Sequence, residues 1–143
     1  MTQSETTKLL KQSLLFSEFS QQEILSMTKT AKMRDYAAGS TIVKEGDIGG
    51  VGFYLILDGQ VEIRRKAKVI ATMKQGEFFG EMALLMEKDT PRSADVVAVA
   101  NTRCMVLTRW DLRSLISTHP DVAVKVMSAL AQRLSQTHKA LTE

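Results

Sequence analysis

One cysteine, two prolines, one tryptophan and two histidines in 143 residues exclude several kinds of protein at once. Cys104 by itself closes no internal disulfide, so the fold has to stand on its core, and a reducing cytoplasm is the expected compartment. With only His119 and His138 available, both at or in the last helical stretch, the clustered His and carboxylate ligands of a metal enzyme are missing and no metal is expected. No apolar run approaches the ~20 residues needed to cross a bilayer. The start, Met1-Thr2-Gln3-Ser4-Glu5, lacks the basic-then-apolar order of a secretory leader. No nucleophile elbow, Walker loop or HExxH occurs, so no enzyme is expected. A net charge of +3 is too slight for a dedicated nucleic-acid surface. What remains is 44% hydrophobic and 24% charged, the balance of a soluble globular chain, and residues 1–143 suffice for one domain with a real core.

Helical signals sit at the two ends. Leu9, Leu10, Leu14, Leu15 and Phe16 among polar neighbours predict a short amphipathic helix over 7–17. Ser20-Gln21-Gln22-Glu23 is a capping box that opens a second helix to about residue 31, with Ile24, Leu25 and Met27 inward. After Ala37-Ala38-Gly39 the strand signals begin: 40–44, 52–57, 60–64, 69–73, 94–100 and 103–108. Asp58-Gly59 is the expected hairpin turn between two of them. Lys66-Ala67-Lys68 reads as another turn within a small basic run of Arg64, Arg65, Lys66, Lys68 and Lys74, taken as a solvated hairpin. Many short strands at even spacing suggest a sandwich or barrel. Thr108-Arg109-Trp110-Asp111 is a second capping box, opening a helix to about residue 117. Pro120 suits the first position of a last helix from Asp121 to about Leu141. The fold class is α+β, mainly β: a jelly-roll-like barrel over 36–108, with N-terminal helices over 7–35 and C-terminal helices over 109–143.

The stretch from Gly76 to Ala94 concentrates the chemistry. Phe78 and Phe79 would anchor it in the core, and Gly80 lets the backbone turn or approach a ligand. Residues 81–86 are strong helix formers. A short helix opening there would turn unpaired amides toward an anion. Arg92 brings a fork that fits a phosphate, and Ser93 a hydroxyl donor. Glu81 would repel a bare anion. A ligand carrying both a phosphate and a hydroxyl resolves the conflict, and a cyclic nucleotide is such a ligand. A Glu–Arg surface pair beside a loop would show the same spacing.

The run Phe79-Gly80-Glu81-Met82-Ala83-Leu84, with ten residues between Glu81 and Arg92 and then Ser93-Ala94, resembles the phosphate-binding cassette of cyclic nucleotide-binding domains. That family includes the catabolite activator protein, the regulatory subunits of cyclic AMP-dependent kinase and the cyclic nucleotide-gated channels. Glu45-Gly46-Asp47, Tyr54-Leu55-Ile56-Leu57 and Gly59-Gln60-Val61 resemble its early strands, and the likeness covers roughly 9–141. The resemblance implies a sensor that binds cyclic AMP or cyclic GMP. Glu81 would take the ribose 2′-hydroxyl and Arg92 the phosphate, with Ser93 and the amides of Ala83 and Leu84 completing the cradle. Phe79, Gly80, Met82 and Ala94 would line the same cassette. Ser93, where some guanine-binding members have Thr, leans toward cyclic AMP.

Met127, Leu130, Leu134, Thr137 and Leu141 step by three and four along the last helix, a seam suited to a twin helix or to the barrel itself. In the family the corresponding helix closes over the nucleotide and in bacterial members dimerises. That would bring Thr137, together with His138, near the base; a Thr there is otherwise a tolerated polar residue. The expected output is a homodimer change, an effector protein of unknown identity, or a domain outside this sequence. The alternative is a nucleotide-independent dimerisation or interaction module of the same fold.

Overall fold

The computed structural model describes residues 3–46, 52–80, 84–85 and 92–142. The chain divides into two compact units: a helical one from Met1–Lys29 and Arg113–Glu143, and a strand unit over Thr30–Leu112.

In the helical unit, α1 (Gln3–Gln12) ends before a 3-10 turn at Leu14–Phe16, so the single helix expected over 7–17 is broken at Ser13. Helix α2 (Gln21–Thr30) begins at the expected capping box. The Glu23 backbone amide donates to Ser20 Oγ at 3.2 Å, and the Ser20 amide donates to Glu23 Oε1 at 2.7 Å. Helix α3 (Arg109–Thr118) opens at the second box, with Thr108 N and Oγ1 donating to Asp111 Oδ2 at 2.8 and 2.9 Å. Helix α4 (Asp121–Thr142) follows Pro120 and packs on the 3-10 turn. Leu10, Phe16, Phe19, Ile24, Met27 and Val122 are fully buried. Each such side chain contributes about 1.5–3 kcal/mol. Glu23 is buried as well, and its Oε1 lies 2.6 Å from Lys125 Nζ on α4. Burial works against its carboxylate, but hydrogen bonds from Lys125 and Ser20 outweigh that and hold its pKa below the usual value.

The strand unit has two antiparallel four-stranded sheets. One is ordered β1 (Lys32–Tyr36), β8 (Thr102–Thr108), β3 (Gly52–Asp58) and β6 (Phe78–Phe79). The other is ordered β2 (Thr41–Val43), β7 (Asp95–Ala98), β4 (Gln60–Arg65) and β5 (Lys68–Lys74). Ile56, Val61, Phe79, Val96, Cys104 and Val106 form a buried cluster between them. This is the jelly-roll-like barrel with helices at both ends of the chain. Burial pushes the Cys104 thiol up to about 12, and burial, aided by Tyr54 and Cys104, does the same to the Tyr36 phenol.

Two features depart from the sequence reading. Strand β1 precedes Gly39, where no strand is expected, because Lys-Met-Arg-Asp-Tyr is an almost wholly exposed edge strand without apolar alternation. The Asp58-Gly59 hairpin is also absent: β3 pairs with β8 and β6, β4 with β5 and β7, and Gly59 is the corner at which the chain changes sheet. Gly59 has φ +104°, and a Cβ there would lie 2.5 Å from Thr102 Oγ1. The tight hairpin is at Lys66-Ala67, between β4 and β5. Both residues have positive φ, 52° and 65°, as a type I′ turn requires. Without glycine that conformation costs about 1–2 kcal/mol per residue.

Candidate functional site

The cassette enters from the core. Phe79, on β6, stacks on Tyr54 of β3 with ring centroids 4.8 Å apart and planes within 8°, and Phe78 meets Phe53 at 5.2 Å. Just before them, the Ile56 amide donates to Glu77 O and the Gly76 amide to Ile56 O, both at 2.9 Å, which ties the segment to β3. Phe79 is thus an inward anchor.

Gly80 then turns the chain with φ +84°. A Cβ at Gly80 would meet Gly52 O at 2.5 Å and Arg92 Nη1 at 3.3 Å, so glycine is demanded by both conformation and space. The missing side chain lets three segments converge: Gly52 at the start of β3, Gly80 after β6, and Arg92. Arg92 is half-buried, and its Nη2 donates to Gly52 O at a long 3.3 Å. Its Nε is buried, with no hydrogen-bond partner among the described residues. A buried guanidinium N–H left without an acceptor loses hydration without replacement, which favours the arrival of an anion. One face of a planar fork held by a single weak bond leaves the remaining donors for a bidentate acceptor.

The chain after Arg92 is fixed through its backbone. The Gly46 amide donates to Arg92 O at 2.8 Å, Arg65 Nε donates to Ser93 O at 3.1 Å, and the Glu45 amide donates to Asp95 Oδ1 at 2.6 Å. Ser93 is exposed and Ala94 buried beside it. Leu84 is buried and helical together with Leu85. Of the expected site residues, the structure brings Gly80, Arg92, Ser93 and Ala94 into one region and roots them on Phe79. Glu81, Met82 and Ala83 lie outside the described residues. Thr137 and His138 are exposed on α4, in the helical unit. Gly52 and Arg65 were not singled out by sequence. A glycine opening an apolar strand was a signal for the first; nothing in the basic run distinguished Arg65 from its neighbours. Among the described residues no group of three His, Cys, Asp or Glu side chains could hold a metal ion. None of the described helices is long and apolar enough to cross a membrane.

The profile of the cyclic nucleotide-binding domain family matches residues 33–119. The cyclic AMP receptor protein of Thermus thermophilus is 35% identical over 132 residues, 89% of this chain and 60% of that protein. A CRP-like cAMP-activated global transcriptional regulator of Mycobacterium tuberculosis is 26% identical over 95% of this chain and 62% of its own length. The crystal structure of the N-terminal domain of a transcriptional regulator from Streptomyces coelicolor superposes with a TM-score of 0.85 at 26% identity, covering 92% of this chain and 93% of that one. This chain belongs to the cyclic nucleotide-binding domain family. It spans 60% and 62% of the length of these two curated relatives.

Proposed function

We propose that this chain is a single-domain cyclic AMP sensor whose signal leaves through helix α4. The observation that carries the reading is Arg92: a half-buried guanidinium gripped weakly by Gly52 O, with a buried Nε–H that no described residue accepts. In the bound state Arg92 pairs with the cyclic phosphate, Ser93 and the amides of Ala83 and Leu84 complete the cradle, and Glu81 accepts the ribose 2′-hydroxyl. Ser93 in place of Thr supports adenine over guanine, and so does the likeness to a cyclic AMP receptor protein. The reading places the protein in the cytoplasm, free of membranes, and without catalysis of its own. Binding orders the cassette and changes the state of α4, driven by the difference in affinity between the two states.

Titration of refolded, nucleotide-free protein with cyclic AMP and with cyclic GMP tests this. One saturable site per chain is expected, tighter for cyclic AMP, with amide exchange over 121–142 slowed by the nucleotide. A folded protein that binds neither would overturn the sensor reading in favour of an interaction module. Binding with unchanged exchange would remove the role of α4 alone.

A further inference from the structure

The phosphate cradle is held in place by a hairpin that contributes nothing to the cassette sequence. Four hydrogen bonds link three chain segments around residues 92–95. The Gly46 amide holds Arg92 O at 2.8 Å, and the Glu45 amide is itself held by Asp95 Oδ1 at 2.6 Å. Glu45 Oε1 accepts from the Lys66 amide at 3.0 Å, and Arg65 Nε donates to Ser93 O at 3.1 Å. Two of the four come from the β4–β5 turn. That turn is built without glycine in a left-handed conformation that its residues adopt at a cost, and it presents the Lys66 amide to Glu45 and the Arg65 side chain to the cassette exit. The type I′ hairpin requires that backbone, and the two contacts give the turn a use beyond the hairpin.

The use follows from peptide geometry. A trans peptide is planar, with C=O and the following N–H pointing in opposite directions. Fixing Arg92 O fixes the Ser93 N–H, and fixing Ser93 O fixes the Ala94 N–H. We propose that Arg65 is a positioning residue for the phosphate site: through its directed Nε–H it fixes Ser93 O, and so holds in place the residue whose hydroxyl the sensor reading assigns to the phosphate cradle. This rests on the nucleotide-sensor reading above. Arg65 acts by direction rather than by charge, so a lysine, a mobile point charge without the planar fork, does not replace it.

The test compares wild type, Arg65→Ala and Arg65→Lys by titration with cyclic AMP and, without nucleotide, by NMR amide order parameters at Ser93 and Ala94. Both variants keep the wild-type melting temperature, since Arg65 is exposed. Both bind cyclic AMP about tenfold more weakly than wild type, and both show lower order at 93–94. Wild-type affinity in Arg65→Lys would mean that charge alone is required and would overturn the proposal, as would unchanged affinity in both variants. Should wild type bind no cyclic AMP, the sensor reading fails, and the order parameters still decide the positioning: equal values in all three proteins overturn it.

Discussion

Gly80 and Arg92 divide the work of the site between space and charge. A methyl at Gly80 would press on Gly52 O at 2.5 Å and force a left-handed conformation on alanine. Neither the carbonyl nor the glycine backbone can yield without disturbing the pairing of β3 with β6. Gly80→Ala is therefore expected to cost about 1–3 kcal/mol of stability and to weaken nucleotide binding, checked by thermal unfolding and titration. An unchanged melting temperature would contradict the close approach. At this scale the pattern was legible: a glycine followed by helix formers and, eleven residues beyond Glu81, an arginine has a chemical meaning. Arg65 was not legible, because its role depends on a hairpin bringing β4 to Ser93, 28 residues away. Its sequence neighbours are equally basic and do something else: Arg64 pairs with Glu62 at 2.6 Å.

Elements show why local signals succeeded at helix starts and failed at turns. A capping box is complete within four residues, and both boxes formed as read. Asp58-Gly59 specifies a change of direction, but whether the next strand pairs with the last or crosses to the opposite sheet is decided by β7 and β8, residues far along the chain. Strand β1 was hidden for the same reason, since its partner β8 supplies the pattern it lacks. Glu23 couples one of these boxes to α4 through Lys125. Its pKa is lowered in the folded state, so its contribution is fully present above the unfolded value of about 4.3. It is lost as pH falls through the lower folded value. Glu23→Gln should lower stability at pH 7 by about 1–3 kcal/mol, and the deficit should shrink on acidification below about pH 4. Denaturant unfolding across pH checks this; a deficit independent of pH would mean that the carboxylate charge does not contribute.

The whole molecule leaves one helix face unexplained by its own core. Helix α4 buries Val122, Val126 and Ala129, yet Met127 is 60% and Leu134 70% exposed, with Val124 and Leu141 also open. An apolar stripe of this size on a surface helix fits a second copy laid alongside it, with Met127, Leu130, Leu134, Thr137 and Leu141 at the seam. We propose that the sensor is a homodimer through α4. Leu134→Glu should then leave the thermal stability of the folded chain near wild type and shift its sedimentation to that of a monomer. A wild type already monomeric at high concentration would rule the seam out. The central claim, however, is that Arg92 recognises a cyclic nucleotide phosphate, and the most direct measurement is isothermal titration of Arg92→Ala beside wild type with cyclic AMP. Loss of the charge partner of a bound phosphate should cost about 2–5 kcal/mol, or about 30-fold or more in affinity, with the fold retained. Equal affinity in the two proteins would contradict the assignment of the site.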